Sequence, residues 1–224
     1  MTTTWSIINE RLEYFLNDTA ATPDYSLSER VDGWNYAQRL LAVQHTPRER
    51  KAVLTLGADG RSAALPEDFL SVAGLYDADN SVWWSPMDYP RRDGTYRAED
   101  DELRLYWTFG QMLYLESEIV AADDLRLYYW AYWPDLEVKT VNAVETEIVS
   151  DILIPRWAEV PCQHLTAAYV LQGGAMQAAD IRTWNMRIDS GTPVQNSRAE
   201  QAREHLWWWD NLLARVKPID YHGV

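Results

Sequence analysis

The sequence of 224 residues has only one cysteine, Cys162, and no apolar run long enough to form a membrane span. A lone cysteine excludes an intrachain disulfide and a metal site made of several cysteines. A spanning helix needs about 20 consecutive apolar residues, which this chain does not offer. Its N-terminus, Met-Thr-Thr-Thr-Trp, has neither the basic nor the apolar region of a signal peptide. We therefore expect a protein that is assembled inside a cell.

Basic residues are also scarce: 20 Lys and Arg stand against 34 Asp and Glu, which gives a formal net charge of -14. A protein that grips nucleic acid needs clustered Lys and Arg to neutralise phosphates, so the composition argues against that function. An acidic surface does suit a protein past which DNA must slide without sticking, because like charges repel.

Catalytic signatures are missing as well. The four histidines are scattered and form no metal-ligand motif; they are His45, His164, His205 and His222. Cys162 and His164 point about 200° apart on a helix, which makes a poor nucleophile–base pair and predicts a buried structural cysteine. The acidic runs at residues 99–102 and 123–124 flank strands and are typical of solvated turns. We predict no enzyme, no cofactor and no metal site.

Tryptophan and tyrosine are abundant, at 12 and 13 residues, and they concentrate in residues 103–133. Strand side chains alternate between two faces. The segment before Pro134 therefore has one face with Leu125, Leu127, Tyr129, Ala131 and Trp133, and another with Arg126, Tyr128, Trp130 and Tyr132. Because both faces carry aromatic residues, we expect the chain to cover this strand twice or a second subunit to cover one face.

Helical periodicity brackets these strands. Thr4 is suited to cap a first helix, Ser26 and Glu29 form a capping box for a second, and Ser197 and Glu200 form one for the last. Residues 134–150 read as a polar connector that begins a helix. The pattern predicts an α+β fold, mainly helical, in which an N-terminal helix pair and C-terminal helices surround an antiparallel aromatic-rich β-meander. We expect one domain, residues 1–224, with helices at 4–45, a β subdomain at 51–136, helices at 154–217 and a short tail at 218–224.

Several segments resemble the head-to-tail adaptor, or head-completion, proteins of tailed bacteriophages. The similar segments are Leu65-Pro-Glu-Asp-Phe-Leu, Leu125-Arg-Leu-Tyr-Tyr-Trp-Ala-Tyr-Trp-Pro-Asp-Leu136, Leu165-Thr-Ala-Ala-Tyr-Val-Leu171 and Leu212-Leu-Ala-Arg-Val216. The resemblance implies a structural protein of the phage neck, assembled in the host cytoplasm and located at the head–tail junction of the virion. Its copies would form a ring, a dodecamer by analogy, that joins the portal to the next neck or tail protein and prolongs the DNA channel.

Candidate interface residues follow from the aromatic pattern. Trp83 and Trp84 must face opposite sides of a strand, and three consecutive tryptophans on a helix project about 100° apart. The predicted interface comprises Trp83, Trp84, Tyr128, Trp130, Tyr132, Trp207, Trp208 and Trp209. The predicted portal-docking tail comprises Ile219, Asp220, Tyr221 and His222. The alternative function is a carbohydrate-binding protein that uses exposed Trp and Tyr, and a hydrolase with two carboxylates ranks last.

Overall fold

The computed structural model describes residues 4–18, 24–87, 104–116, 124–141, 144–148, 151–172 and 197–215. Contacts divide the chain into two compact units, which are Met1–Thr46 together with Trp133–Val224, and Pro47–Tyr132. We call them the helical unit and the sheet unit. That the whole chain behaves as one domain stays a prediction. Within the described ranges, no helix has the length and apolar character that crossing a bilayer would need.

The helical unit is built around one central helix. Its helices are α1 (Trp5–Leu16), α2 (Leu27–Gln44), α3 (Glu159–Leu171), which follows a 3₁₀ turn at Arg156–Ala158, and α4 (Ser197–Leu213). Helices α1, α2 and α4 all pack against α3. Because α3 meets neighbours on several sides, nearly all of its residues are buried, including Cys162, Leu165 and Ala168. The predicted burial of Cys162 is thus confirmed.

Two local features fix the entry of the chain into α2. The predicted capping box is present: Ser26 Oγ accepts from the Glu29 amide at 3.2 Å, and Glu29 accepts from the Ser26 amide at 2.8 Å. One turn later, the buried guanidinium of Arg30 donates to Asp18 at 2.6 Å and to Glu13 at 3.0 Å. Burial would raise the pKa of Asp18, but hydrogen bonds from the Asp24 amide and Arg30 outweigh that effect and lower it.

The sheet unit is a curled half-barrel of seven strands. The strands are β1 (Arg48–Leu54), β2 (Ser62–Ala64), β3 (Phe69–Asp77), β4 (Val82–Pro86), β5 (Leu105–Phe109), β6 (Met112–Leu115) and β7 (Leu125–Ala131). They lie in the order β1-β7-β3-β4-β5-β6-β2, and β4 pairs with β5 in parallel. Strand β7 therefore sits between β1 and β3, although it is the last of the seven in sequence.

The predicted fold class is wrong. The chain is not a mainly helical fold with an antiparallel meander, because the sheet is mixed and much larger than expected. Strands β6 and β7 are consecutive in sequence, yet β6 pairs with β2 and β5, whereas β7 pairs with β1 and β3. Pairing follows the match of side chains across strands, and this match brings β7 to partners far away in sequence.

The connector after Pro134 is also different from the prediction. It contains an antiparallel pair, β8 (Val138–Val141) and β9 (Val144–Ile148), rather than the start of a helix. Alternating β-branched residues in Val-Lys-Thr-Val and Val-Glu-Thr-Glu-Ile suit a strand better than a helix. Residues 173–196 of the helical segment expected at 154–217 lie outside the described residues.

Strand β7 shows the predicted alternation of its two faces. Leu125, Leu127, Tyr129 and Ala131 are buried in the core of the sheet unit, together with Leu75 and Trp84. Arg126, Tyr128 and Trp130 are partly exposed on the other face. The core of the unit thus accounts for one aromatic face of β7 and leaves the other partly open.

Candidate interface surfaces

The open face of the sheet unit carries a cluster of three aromatic side chains, Tyr76, Trp83 and Tyr128, which we call the strand patch. Trp83 is 59% exposed, and its ring centroid lies 4.9 Å from that of Tyr76 and 5.6 Å from that of Tyr128. Lys51 Nζ lies 5.4 Å from the centre of the Tyr128 ring, within the range of a cation–π contact. The patch therefore offers a large aromatic surface edged by a positive charge.

A glycine makes room for this arrangement. Gly74 on β3 lies opposite Tyr128 on β7, and a Cβ atom at Gly74 would come within 2.9 Å of the Trp83 ring. Because glycine has no Cβ, the Trp83 indole can lie closer to the sheet backbone than it could if position 74 carried a side chain. This close approach places Trp83 beside Tyr76 and Tyr128.

The other predicted residues of the sheet unit lie in different environments. Trp84 is only 4% exposed, because adjacent residues of a strand face opposite sides and its side faces the core. Trp130 is partly buried and lies opposite Glu49 on β1 and Ser71 on β3. Tyr132 is also partly buried, and its amide donates to the Asp68 carbonyl at 2.9 Å.

A second aromatic cluster lies on the helical unit and comprises Phe15, His164, Trp207 and Trp208; we call it the helix patch. Trp207 is 56% exposed and Trp208 36%, and their rings make an edge-on contact with centroids 4.9 Å apart. Trp208 stacks on His164 at 5.9 Å, and His164 stacks on Phe15 at 4.6 Å. Trp209 points into the core and is 3% exposed.

His164 of this patch also meets His205, a contact that no local sequence pattern indicates. His164 Nδ1 lies 2.9 Å from His205 Nδ1, and His205 Nε2 lies 3.4 Å from the Phe15 carbonyl. A carbonyl only accepts, so His205 carries its proton on Nε2 and His164 donates through Nδ1. Burial lowers the pKa of His205, and burial with the neighbouring His205 lowers the pKa of His164 to about 4. Both rings are therefore neutral at pH 7.

A comparison with known protein families decides what this chain is. The family model of the SU10 adaptor protein matches residues 3–203, most of the chain. The chain belongs to this family of phage head–tail adaptors. The match confirms the resemblance drawn from the residues alone. No curated protein matches the chain at a significant level.

Membership makes the chain a phage adaptor and a virion structural protein that interacts with head and tail proteins. The family is a structural one, which suggests a non-enzymatic role. Burial raises the pKa of the Cys162 thiol, so the adaptor keeps this cysteine protonated and inert. In the described ranges, no group of three or more His, Cys, Asp or Glu side chains is arranged to hold a metal ion.

Two acidic runs and the predicted portal-docking tail complete the segments that the sequence analysis considered. Asp124 is paired with Arg126, whose hydrogen bond lowers the pKa of the carboxyl group. The acidic run at residues 99–102 and the tail residues Ile219, Asp220, Tyr221 and His222 lie outside the described residues. The docking role of the tail therefore stays a prediction.

Proposed function

We propose that copies of this adaptor form a closed ring in the phage neck, which joins the portal to the next neck or tail protein and prolongs the DNA channel. The observation that carries this proposal is the match of the family model to residues 3–203. The resemblance to phage head-to-tail adaptors implies that the ring is a dodecamer. We further propose that residues 219–222 dock into the portal.

The two aromatic patches support ring formation. A closed ring uses heterologous contacts, in which each subunit presents two different surfaces to its two neighbours. Exposed Trp and Tyr are the residues that most often anchor such contacts. The sheet unit supplies Trp83 and Tyr128, with Trp130 and Tyr132 on the same strand face, and the helical unit supplies Trp207 and Trp208. Trp84 and Trp209 are buried, so we rest the proposed interface on these six residues.

The charge supports passage of DNA through the ring. With a formal net charge of -14, the chain offers few groups that could neutralise phosphates. A channel with acidic walls repels the duplex, and DNA passes without finding lasting partners.

Co-sedimentation with portal rings from the same phage tests this function. We expect saturable binding near one adaptor per portal subunit. Trp83→Ala and Trp207→Ala should weaken adaptor–adaptor contacts on the portal and lower the bound ratio. Phe109→Ala is the matched control, because Phe109 is also an exposed aromatic residue but lies outside both patches.

Deletion of residues 218–224 tests the tail, and retained portal binding would rule out its docking role. Absence of binding at micromolar concentrations would refute the adaptor ring.

A further inference from the structure

A groove in the helical unit lies between α1 and α3 and has a volume of about 510 Å³. Its lining is mostly the apolar side chains and aliphatic stems of α1 and α3, and comprises Glu10, Arg11, Tyr14, Phe15, Val160 and Gln163. Tyr14 and Val160 are exposed at the surface, whereas Gln163 is fully buried. The groove is thus mostly apolar, and the buried Gln163 is one of the residues that line it.

The amide of Gln163 has no hydrogen-bond partner. Both Oε1 and Nε2 are buried and unpaired, and Gln163 stands out among the described residues because it leaves a donor and an acceptor unsatisfied together. Such a group pays the full cost of losing water without a compensating bond. The other deeply buried glutamine behaves differently, since Gln38 Nε2 donates to the Pro134 carbonyl at 2.7 Å.

The unmet donor and acceptor identify the kind of ligand. In an extended chain, the N–H and C=O of one residue point to the same side, and antiparallel neighbours exchange both bonds with that residue. A side-chain amide offers the same pair of groups, one donor and one acceptor. We propose that Gln163 binds the main chain of an extended peptide segment whose apolar side chain fills the groove between α1 and α3.

The source of the segment follows from the family. Adaptors of this family interact with other head and tail proteins, so we assign the segment to one of these virion proteins. This assignment rests on the proposed function, whereas the chemistry of the groove does not. Because both amide atoms are covered, the peptide must displace part of the lining to reach them.

The first test measures stability and needs no ligand. Gln163→Met replaces the unpaired amide by an apolar side chain of similar length and should raise Tm. Gln38→Met, the matched control, removes a satisfied amide and leaves the Pro134 carbonyl unpaired, so it should lower Tm. A fall in Tm for Gln163→Met, comparable to that of Gln38→Met, would overturn the proposal, because it would mean that the amide is satisfied within the fold.

The second test uses N-acetyl-leucine N-methylamide, which offers one extended residue with N–H, C=O and an apolar side chain. In the full chain labelled with ¹⁵N, we expect a saturable shift of the Gln163 side-chain NH₂ signals at millimolar concentrations. The analogue methylated on the acetamide nitrogen lacks the donor and should bind about tenfold more weakly. Equal shifts with the two compounds would overturn the main-chain contact. It would also be overturned if the parent compound shifted the signals of the other groove residues as much in Gln163→Met as in the wild type.

The third test identifies the source in assembled particles. Tyr14 is replaced by the photoreactive p-benzoylphenylalanine, and cross-linked peptides are identified by mass spectrometry. A cross-link to an extended apolar segment of a head or tail protein is expected. A cross-link to a second copy of this chain, or the absence of any cross-link, would overturn the assignment. If the adaptor fails to co-sediment with portal rings but still binds N-acetyl-leucine N-methylamide, the proposed ring is rejected and the proposed peptide site in the groove is not.

Discussion

In each of the two units, consecutive tryptophans divide between the core and the surface, but the backbone that divides them is a strand in one unit and a helix in the other. On strand β4, Trp83 and Trp84 separate cleanly, one exposed and the other buried, because strand neighbours point in opposite directions. On helix α4, Trp207, Trp208 and Trp209 fan out by about 100° each, so one is buried and two remain at the surface. The same residue type thus serves core and surface within a few ångströms, and backbone periodicity decides which.

The largest expected effect tests this division directly. Trp84→Ala and Trp209→Ala should each lower the free energy of unfolding by about 3–5 kcal/mol, because each leaves a cavity in a core. Trp83→Ala and Trp207→Ala should cost less than about 1.5 kcal/mol, the size of a lost aromatic contact. Urea unfolding of the four variants measures the difference. Equal losses for an exposed and a buried tryptophan of one unit would break the comparison.

Buried arginine–carboxylate pairs sharpen the contrast between the units. In the helical unit, Arg30 and Asp18 are both buried; in the sheet unit, Asp77 is buried but Arg104 is partly exposed. Arg30→Met should cost about 3–5 kcal/mol, because it leaves the buried Asp18 carboxylate without its buried counter-charge.

Arg104→Met should cost less, about 1–3 kcal/mol, because Arg104 is partly exposed and solvent already screens its pair with Asp77. Arg39→Met serves as the control, since its exposed pair with Asp135 contributes about 0–1 kcal/mol. Chemical denaturation at low and high salt measures all three, and an Arg39 effect as large as that of Arg30 would contradict the argument.

Acid should loosen the helix patch and spare the strand patch. The pKa values of His164 and His205 are lowered in the folded protein, so the unfolded chain binds more protons as pH falls below about 6.5. Stability from this pair is complete above that pH and falls by on the order of 2 kcal/mol by pH 4.5.

The measurement is the free energy of unfolding from pH 7 to pH 4.5 in the wild type and in His164→Phe with His205→Phe. The double variant should keep the stacking on Phe15 and Trp208 and lose part of the pH dependence. His45, whose pKa burial also lowers, contributes to the pH dependence that remains. Identical pH profiles for the two proteins would show that the pair does not titrate as described.

The smallest expected effects come from two close-packed glycines. A Cβ at Gly33 would lie 3.3 Å from the Thr166 carbonyl oxygen on α3, which cannot move easily; a Cβ at Gly74 would meet the ring of exposed Trp83, which can. Gly33→Ala should therefore cost about 1–2 kcal/mol despite the better helix propensity of alanine. Gly74→Ala should cost less than about 1 kcal/mol and change Trp83 fluorescence. A larger loss for Gly74→Ala than for Gly33→Ala would reverse the comparison.

Local features of the fold could be predicted from the sequence, and its sheet topology could not. The capping box at Ser26 and the two faces of β7 depend on residues close together in the chain. The position of β7 between β1 and β3 depends on partners at residues 48–54 and 69–77, and many pairings satisfy the same alternation. A meander was the simplest of these and was wrong.

The candidate surfaces were predictable to a similar degree. Periodicity indicates that at least one of Trp207, Trp208 and Trp209 must leave the core, but it does not say which. The His164–His205 pair and the unpaired amide of Gln163 depend on how α3 packs against α1 and α4. No local pattern carries that information.

The division of the chain between the units has a consequence for synthesis on the ribosome. Helices α1 and α2 pack on α3, which is translated more than a hundred residues later, after the whole sheet unit. At about 5–20 residues per second, the nascent helices wait on the order of ten seconds with their apolar faces uncovered. The sheet also cannot close until its last strand, β7, takes its place between β1 and β3. Helices α1 and α2 are therefore the part of the adaptor that most needs chaperones to protect it during translation.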